Sequence, residues 1–195
     1  MNFLKSRGVI HCDIKPENIL FLNENSKNVK LIDFGSSTFI DDVDYSYLQT
    51  RPYRSPEICF GCKFDFAADM WSLGCIIYEL ITFKLLFKYK TVEENLAKAM
   101  AINSAYNADL FIMGNQFKKL MLKGKYLNNS NSMGRIVGID VVFPNTKYEF
   151  KEELSSTGCP ESLVDFIMKC LILNPVERMS VEEALDHPFL KLKNK

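Results

Sequence analysis

Asp13 and Lys15 set a carboxylate close to an ammonium early in a chain of 195 residues, and Asn18 follows. Asp33 completes the group after two short apolar runs. Asp13 can accept a proton from a hydroxyl, and Lys15 can neutralise an anion. Asn18 offers a carbonyl oxygen and Asp33 a carboxylate, the donors that a hard cation such as magnesium takes. Phosphoryl transfer needs this division of labour: charge neutralisation on the phosphoryl oxygens, and an acceptor for the proton of the attacking hydroxyl. Taken singly, Asp-x-Lys is an ordinary surface ion pair and Asp-Phe-Gly an ordinary turn. Taken together, His11-Cys12-Asp13-Ile14-Lys15-Pro16-Glu17-Asn18 and Asp33-Phe34-Gly35 form an order and spacing that chance does not readily produce.

These groups need elements to hold them. Residues 19–22 and 29–32 are apolar and flank a polar stretch, a pattern that predicts a β-hairpin with a longer loop. Asn18 then precedes one strand and Asp33 follows the other, so both side chains emerge at the same end. Residues 66–82 are apolar almost all round, which predicts a helix buried on most sides. Thr91-Val92-Glu93-Glu94 and Ser180-Val181-Glu182-Glu183 are capping-box patterns that each open a helix. Leu96, Ala99 and Met100 share a face of the first, and the second should stop before Pro188. Leu163, Phe166, Ile167, Cys170 and Leu171 recur at helical spacing and predict an amphipathic helix. Residues 102–157 read as an irregular insert with some helix. Lys118, Lys119, Lys123 and Lys125 within it read as a solvated face. The fold class expected is mainly α with one small β-hairpin.

Composition narrows the partners. Lys plus Arg and Asp plus Glu both total 24, so net charge is zero and no global field recruits nucleic acid or an anionic membrane. No apolar run is long enough to predict a transmembrane helix. The first ten residues lack the apolar region of a secretory signal. Six scattered cysteines fit a reducing compartment, cytoplasm or nucleus, better than a disulfide framework. Cys59 and Cys62 form a lone C-x-x-C with no second pair, and read as structural cysteines. Asn128-Asn129-Ser130 matches a glycosylation acceptor by chance.

The loop and the Asp-Phe-Gly turn resemble the catalytic loop and metal-binding turn of a eukaryotic protein kinase. The resemblance continues through Arg51-Pro52-Tyr53-Arg54-Ser55-Pro56-Glu57, similar to the end of an activation segment, and Asp69-Met70-Trp71-Ser72-Leu73-Gly74, similar to the central-helix motif. Arg178 matches the arginine that pairs with the Glu57 position, and His187-Pro188-Phe189-Leu190 resembles the domain end. The match spans residues 1–190, with 191–195 a short tail. It implies Asp13 as proton acceptor, Lys15 as phosphate cation, and Asn18 and Asp33 as Mg2+ ligands for ATP. It implies structural roles for His11, Phe34, Gly35, Glu57, Asp69 and Arg178, with Asp69 holding the backbone of the loop.

Lys15 points to the Ser/Thr type of loop. Cys12, the Asp33-Phe34-Gly35-Ser36-Ser37 run, and Tyr45-Ser46-Tyr47 leading to Gln49-Thr50-Arg51 are similar to the dual-specificity tyrosine-regulated kinases of the CMGC group. By that resemblance Tyr47 is autophosphorylated, and the substrate is a protein Ser or Thr, often followed by Pro. Cys12 stands where most kinases carry an arginine that clamps a phosphate by charge-assisted hydrogen bonds. A phosphate on Tyr47 should therefore bind other arginines, with Arg51 and Arg54 nearest in sequence.

A kinase also needs a Gly-rich loop, a strand lysine and its helix glutamate ahead of the catalytic loop. The loop begins at residue 11 and no G-x-G-x-x-G occurs. The expectation is a C-terminal lobe with the N-terminal β lobe absent, Leu20 flooring an adenine site and Phe34 partly exposed. Three organisations fit: the C-terminal part of a kinase whose start lies upstream, an inactive relative kept as a peptide- or protein-binding module, or a lobe paired with a separately encoded one. The intact Asp13, Lys15, Asn18 and Asp33 favour an active lineage, while the chain alone is expected not to bind Mg-ATP at micromolar nucleotide. Oligomeric state is not set by the sequence.

Overall fold

The computed structural model describes residues 1–43, 48–88, 90–103, 109–120, 134–136, 139–141 and 146–191. Tyr47, Lys123, Lys125, the Lys118 side chain and the 128–130 motif lie outside the described residues.

The first half of the chain builds the site's frame. Helix α1 (Asn2–Ser6) leads into β1 (Val9–Ile10), and β2 (Ile19–Phe21) and β3 (Val29–Leu31) form the expected hairpin. Ile19 lies opposite Leu31 and Phe21 opposite Val29. The Ile32 N–H donates to the Asn18 carbonyl at 2.9 Å, which closes the hairpin at the end that carries Asn18 and Asp33. Strand β4 (Thr38–Phe39) returns to pair antiparallel with β1. Helix α2 (Pro56–Phe60) ends at Gly61, whose φ of +69° suits glycine.

Helix α3 (Ala67–Thr82) is the pillar: Ala68, Met70, Trp71, Cys75, Ile76 and Tyr78 are all buried. It meets α7 (Glu161–Cys170) at Gly74, where an added Cβ would fall 2.8 Å from the Cys170 Cβ and 3.0 Å from Leu171. That contact requires a residue without a side chain, because close-packed cores do not absorb an extra methyl. Leu163, Phe166, Ile167, Cys170 and Leu171, the face expected from spacing, are buried.

Both capping boxes form. Thr91 accepts the Glu94 N–H at 3.2 Å and opens α4 (Val92–Ile102), on which Leu96, Ala99 and Met100 are buried. Ser180 accepts the Glu183 N–H at 3.2 Å and opens α8 (Val181–Asp186). The helix stops at Asp186, before Pro188 as expected, and Pro188 then starts a new turn, α9 (Pro188–Lys191), where its missing N–H costs no hydrogen bond.

One expectation is corrected. The described residues carry three two-stranded antiparallel pairs, not one hairpin. The β1–β4 pair has two residues in each strand and a long sequence gap, so no alternation could reveal it. The third, β5 (Gly134–Ile136) with β6 (Ile139–Val141), lies in the region expected to be an irregular insert with some helix. The insert also holds α5 (Phe117–Leu120) and an 11-residue helix, α6 (Thr146–Ser156), whose Phe150 and Leu154 are buried.

Candidate active site

The loop between β1 and β2 is held by one side chain of α3. The Asp69 carboxylate accepts the backbone N–H of His11 at 2.8 Å and of Cys12 at 3.0 Å. Burial pushes the Asp69 carboxyl above its ordinary range, against the opposing pull of these two N–H groups. Cys12 takes a left-handed backbone, φ +62°, which turns the chain sharply before Asp13. Its thiol is fully buried, and burial, followed by the Asp69 charge, pushes it up to about 12. Cys12 is therefore a packed, unreactive side chain facing the interior with Ile10, Ile58, Phe64 and Ala68.

His11, also fully buried, joins the loop to the hairpin. Its Nδ1 accepts the Asp13 N–H at 3.2 Å, so its Nε2–H donates to the Ile32 carbonyl at 3.1 Å. The ring lies 4.9 Å from that of Phe34. Asp33 also has a left-handed backbone, φ +61°, and its Oδ1 accepts the Gly35 N–H at 3.2 Å. A Cβ at Gly35 would come within 3.1 Å of that same oxygen. The glycine keeps the Asp33 carboxylate clear.

Asp13 sits at the centre. Its Oδ2 accepts the Lys15 ammonium at 2.6 Å, and its Oδ1 accepts the Thr50 hydroxyl at 2.6 Å and the Thr50 N–H at 3.1 Å. Lys15 also donates to the Thr50 hydroxyl oxygen at 3.2 Å. Asn18, buried, donates its amide to the Asp13 carbonyl at 2.8 Å and to Oδ2 at 3.3 Å. Burial pushes the Asp13 carboxyl up, but hydrogen bonds from Lys15 and Thr50 together with the Lys15 charge outweigh it and hold the group below the usual carboxylate range. Its hydrogen bond to Asp13 holds the Lys15 ammonium above the usual lysine range.

With its nitrogen committed to Asp13, Asn18 presents its carbonyl oxygen as the group suited to a hard cation, and Asp33 adds a carboxylate at the same end of the hairpin. Two oxygen donors suit magnesium, which completes its shell with water and substrate phosphates. Among the described residues no group of three His, Cys, Asp or Glu side chains converges on a metal site. Leu20 is 48% exposed and Phe34 47% exposed.

The segment after Asp33 returns through Gln49 and Thr50. Arg51 donates to the Lys90 carbonyl at 2.8 Å, and Arg54 donates Nε to the Leu48 carbonyl at 2.7 Å and to the Gln49 carbonyl at 3.1 Å. Tyr53 is buried and donates its hydroxyl to Glu79 at 2.7 Å. Below it, Glu57 meets Arg178 in a fully buried two-point ion pair at 2.7 and 2.9 Å. Arg178 also donates to the carbonyls of Ala67 and Ile172, and its guanidinium stacks over Trp71 at 5.1 Å. Of the residues singled out from sequence, Asp13, Lys15 and Asn18 meet in one group and Glu57 and Arg178 in another, while Leu20, Arg51 and Arg54 join neither. The sequence motif that contains Gln49 and Thr50 assigned neither of them a role at the site. A lone threonine far from Asp13 in the chain carries no local signal, and only the fold brings the two together.

The chain is 35% identical to the dual specificity tyrosine-phosphorylation-regulated kinase 2 of Drosophila melanogaster over 197 residues, covering 98% of this chain and 26% of the relative. It is 34% identical to the dual specificity tyrosine-phosphorylation-regulated kinase 4 of Homo sapiens over 193 residues, covering 97% of this chain and 35% of the relative. It is 36% identical to the probable serine/threonine-protein kinase dyrk2 of Dictyostelium discoideum over 195 residues, covering 97% and 20%. The chain therefore spans about a fifth to a third of the length of these curated relatives. The family model of the protein kinase domain matches residues 1–190. The chain therefore belongs to the protein kinase domain family.

Proposed function

We propose that this chain carries the catalytic loop of a Ser/Thr-type protein kinase that transfers the ATP γ-phosphate to a protein hydroxyl. The observation that supports this reading best is the Asp13 carboxylate, kept ionised by Lys15 at 2.6 Å and already accepting a hydroxyl, that of Thr50, at 2.6 Å. A group so held can take the proton of a substrate hydroxyl. Lys15 neutralises charge on the transferring phosphoryl, and Asn18 and Asp33 supply the metal ligands. Magnesium, when bound, neutralises charge on the β- and γ-phosphate oxygens. Leu20 floors the adenine. Tyr47 is the autophosphorylation site, with Arg51 and Arg54 as its phosphate partners. The substrate is a Ser or Thr followed by Pro, and the setting is intracellular. No described helix is long and apolar enough to cross a membrane.

A second reading is a kinase-like module that binds peptides without transfer. The half-exposed Leu20 and Phe34 favour it, because they leave apolar surface that a bound peptide could cover. Calorimetry with millimolar Mg-ATP, above the micromolar range in which the chain alone is expected not to bind, and phosphate transfer to Ser-Pro and Thr-Pro peptides separate the two. The kinase reading expects Asp33→Ala to abolish Mg-dependent nucleotide binding and Asp13→Asn to cut transfer by about 10²–10⁴-fold with nucleotide still bound. Peptide binding with neither nucleotide binding nor transfer establishes the second reading.

A further inference from the structure

One turn of α3 holds both partners of the Asp13–Thr50 contact. Asp69 fixes the loop that carries Asp13. Its neighbours fix the segment that carries Thr50, through Gln49. The Gln49 side chain is buried, and its Nε2 donates to the Ala68 carbonyl and to the Ser72 hydroxyl, both at 3.1 Å. Its Oε1 accepts the Ser55 N–H at 2.7 Å. Ser72 in turn donates to the Tyr53 carbonyl at 2.8 Å. The Gln49 carbonyl accepts from Arg54. Both polar atoms of this amide are thus committed to α3 on one side and to the start of α2 on the other.

The backbone of Gln49 explains why such an anchor is needed. Its φ is +66°, the left-handed region that a side chain other than that of Gly or Asn avoids. That turn aims both the N–H and the hydroxyl of the next residue, Thr50, at the same oxygen of Asp13. Glutamine is held at this left-handed position against its conformational preference, and its side-chain bonds offset the cost.

We propose that Gln49 is a positioning residue for the proton acceptor: anchored to Ala68, Ser72 and Ser55, it holds the left-handed turn that sets Thr50 on Asp13. Asp69 and Gln49 then register Asp13 and Thr50 from the same turn of helix. The inference rests on the reading of Asp13 as proton acceptor. Its test uses no nucleotide, so it stands or falls separately from kinase activity.

Two variants of the full chain separate the side chain from the backbone. Gln49→Asn keeps an amide and adopts a left-handed backbone more readily, but is one carbon too short to span the same partners. Gln49→Gly removes the side chain and relieves the backbone. Amide exchange follows the Thr50 N–H, with the amides of α3 as the reference. Both variants are expected to stay folded, to leave the α3 amides as protected as in the parent, and to speed Thr50 exchange about tenfold, the equivalent of one hydrogen bond. Unchanged Thr50 protection in both overturns the proposal, since the backbone then needs no anchor. Loss of the fold in both also overturns it, since Gln49 is then an architectural residue.

Discussion

The Arg178 guanidinium and the Glu57 carboxylate meet edge to edge at 2.7 and 2.9 Å across 121 positions of sequence, with neither side chain more than 1% exposed. Two charges taken so far from water are tolerated only while paired and hydrogen-bonded. Arg178→Ala leaves the Glu57 charge buried alone and is expected to destabilise the fold by about 3–5 kcal/mol. The double change Arg178→Met with Glu57→Leu is expected to recover much of that loss. Urea unfolding of the three proteins checks both statements. Equal destabilisation by the single and double changes would show that the pair's packing, and not its charge balance, is what matters.

The cluster around Asp13 predicts an acid limb in stability. Lys15 and Thr50 hold the folded-state carboxyl below its unfolded value. The stabilisation is therefore present above the unfolded pKa and is lost as pH falls through the folded one. Asp69 works in the opposite sense, because burial raises its folded value. The comparison to make is thus between the parent and Asp13→Asn, with Asp69 common to both. Unfolding between about pH 7 and about pH 3 should show a shallower loss of stability in the variant. Parallel curves would show that Asp13 does not couple to folding.

Phe83 closes α3 with a left-handed backbone, φ +56°, and its ring is 91% exposed. An aromatic residue there bears a steric cost that burial does not offset. Phe83→Gly is expected to raise stability by about 0.5–1 kcal/mol, the relief of strain less the greater freedom of glycine in the unfolded chain. Thermal unfolding measures it. A fall in the midpoint would mean that the ring has a role in the fold which its exposure conceals.

Much of the site's frame was legible because its signals are local. The two capping boxes are complete within four residues each, and both form. The apolar runs at 19–22 and 29–32 gave the hairpin, and the unbroken apolar stretch gave α3. What escaped was long-range or polar. The β1–β4 pair is too short for any periodicity. Helix α6 is rich in charged and hydroxyl residues, and its buried Phe150 and Leu154 are too few to stand out. Gln49 and Thr50 lie in a motif whose other members drew the attention, and their partners Ser72 and Asp13 are 23 and 37 positions away.

The meeting of α3 and α7 at Gly74 has a consequence for the newborn chain. The loop that carries Asp13, the Asp-Phe-Gly turn and α3 all precede position 83, yet Cys170 and Leu171, which seal one side of α3 at Gly74, come some hundred residues later. At about 5–20 residues per second, the ribosome leaves that apolar face uncovered for roughly 5–20 s. The residues of the site thus leave the ribosome before the helix that seals their pillar, an interval in which sequestration by a chaperone competes with aggregation.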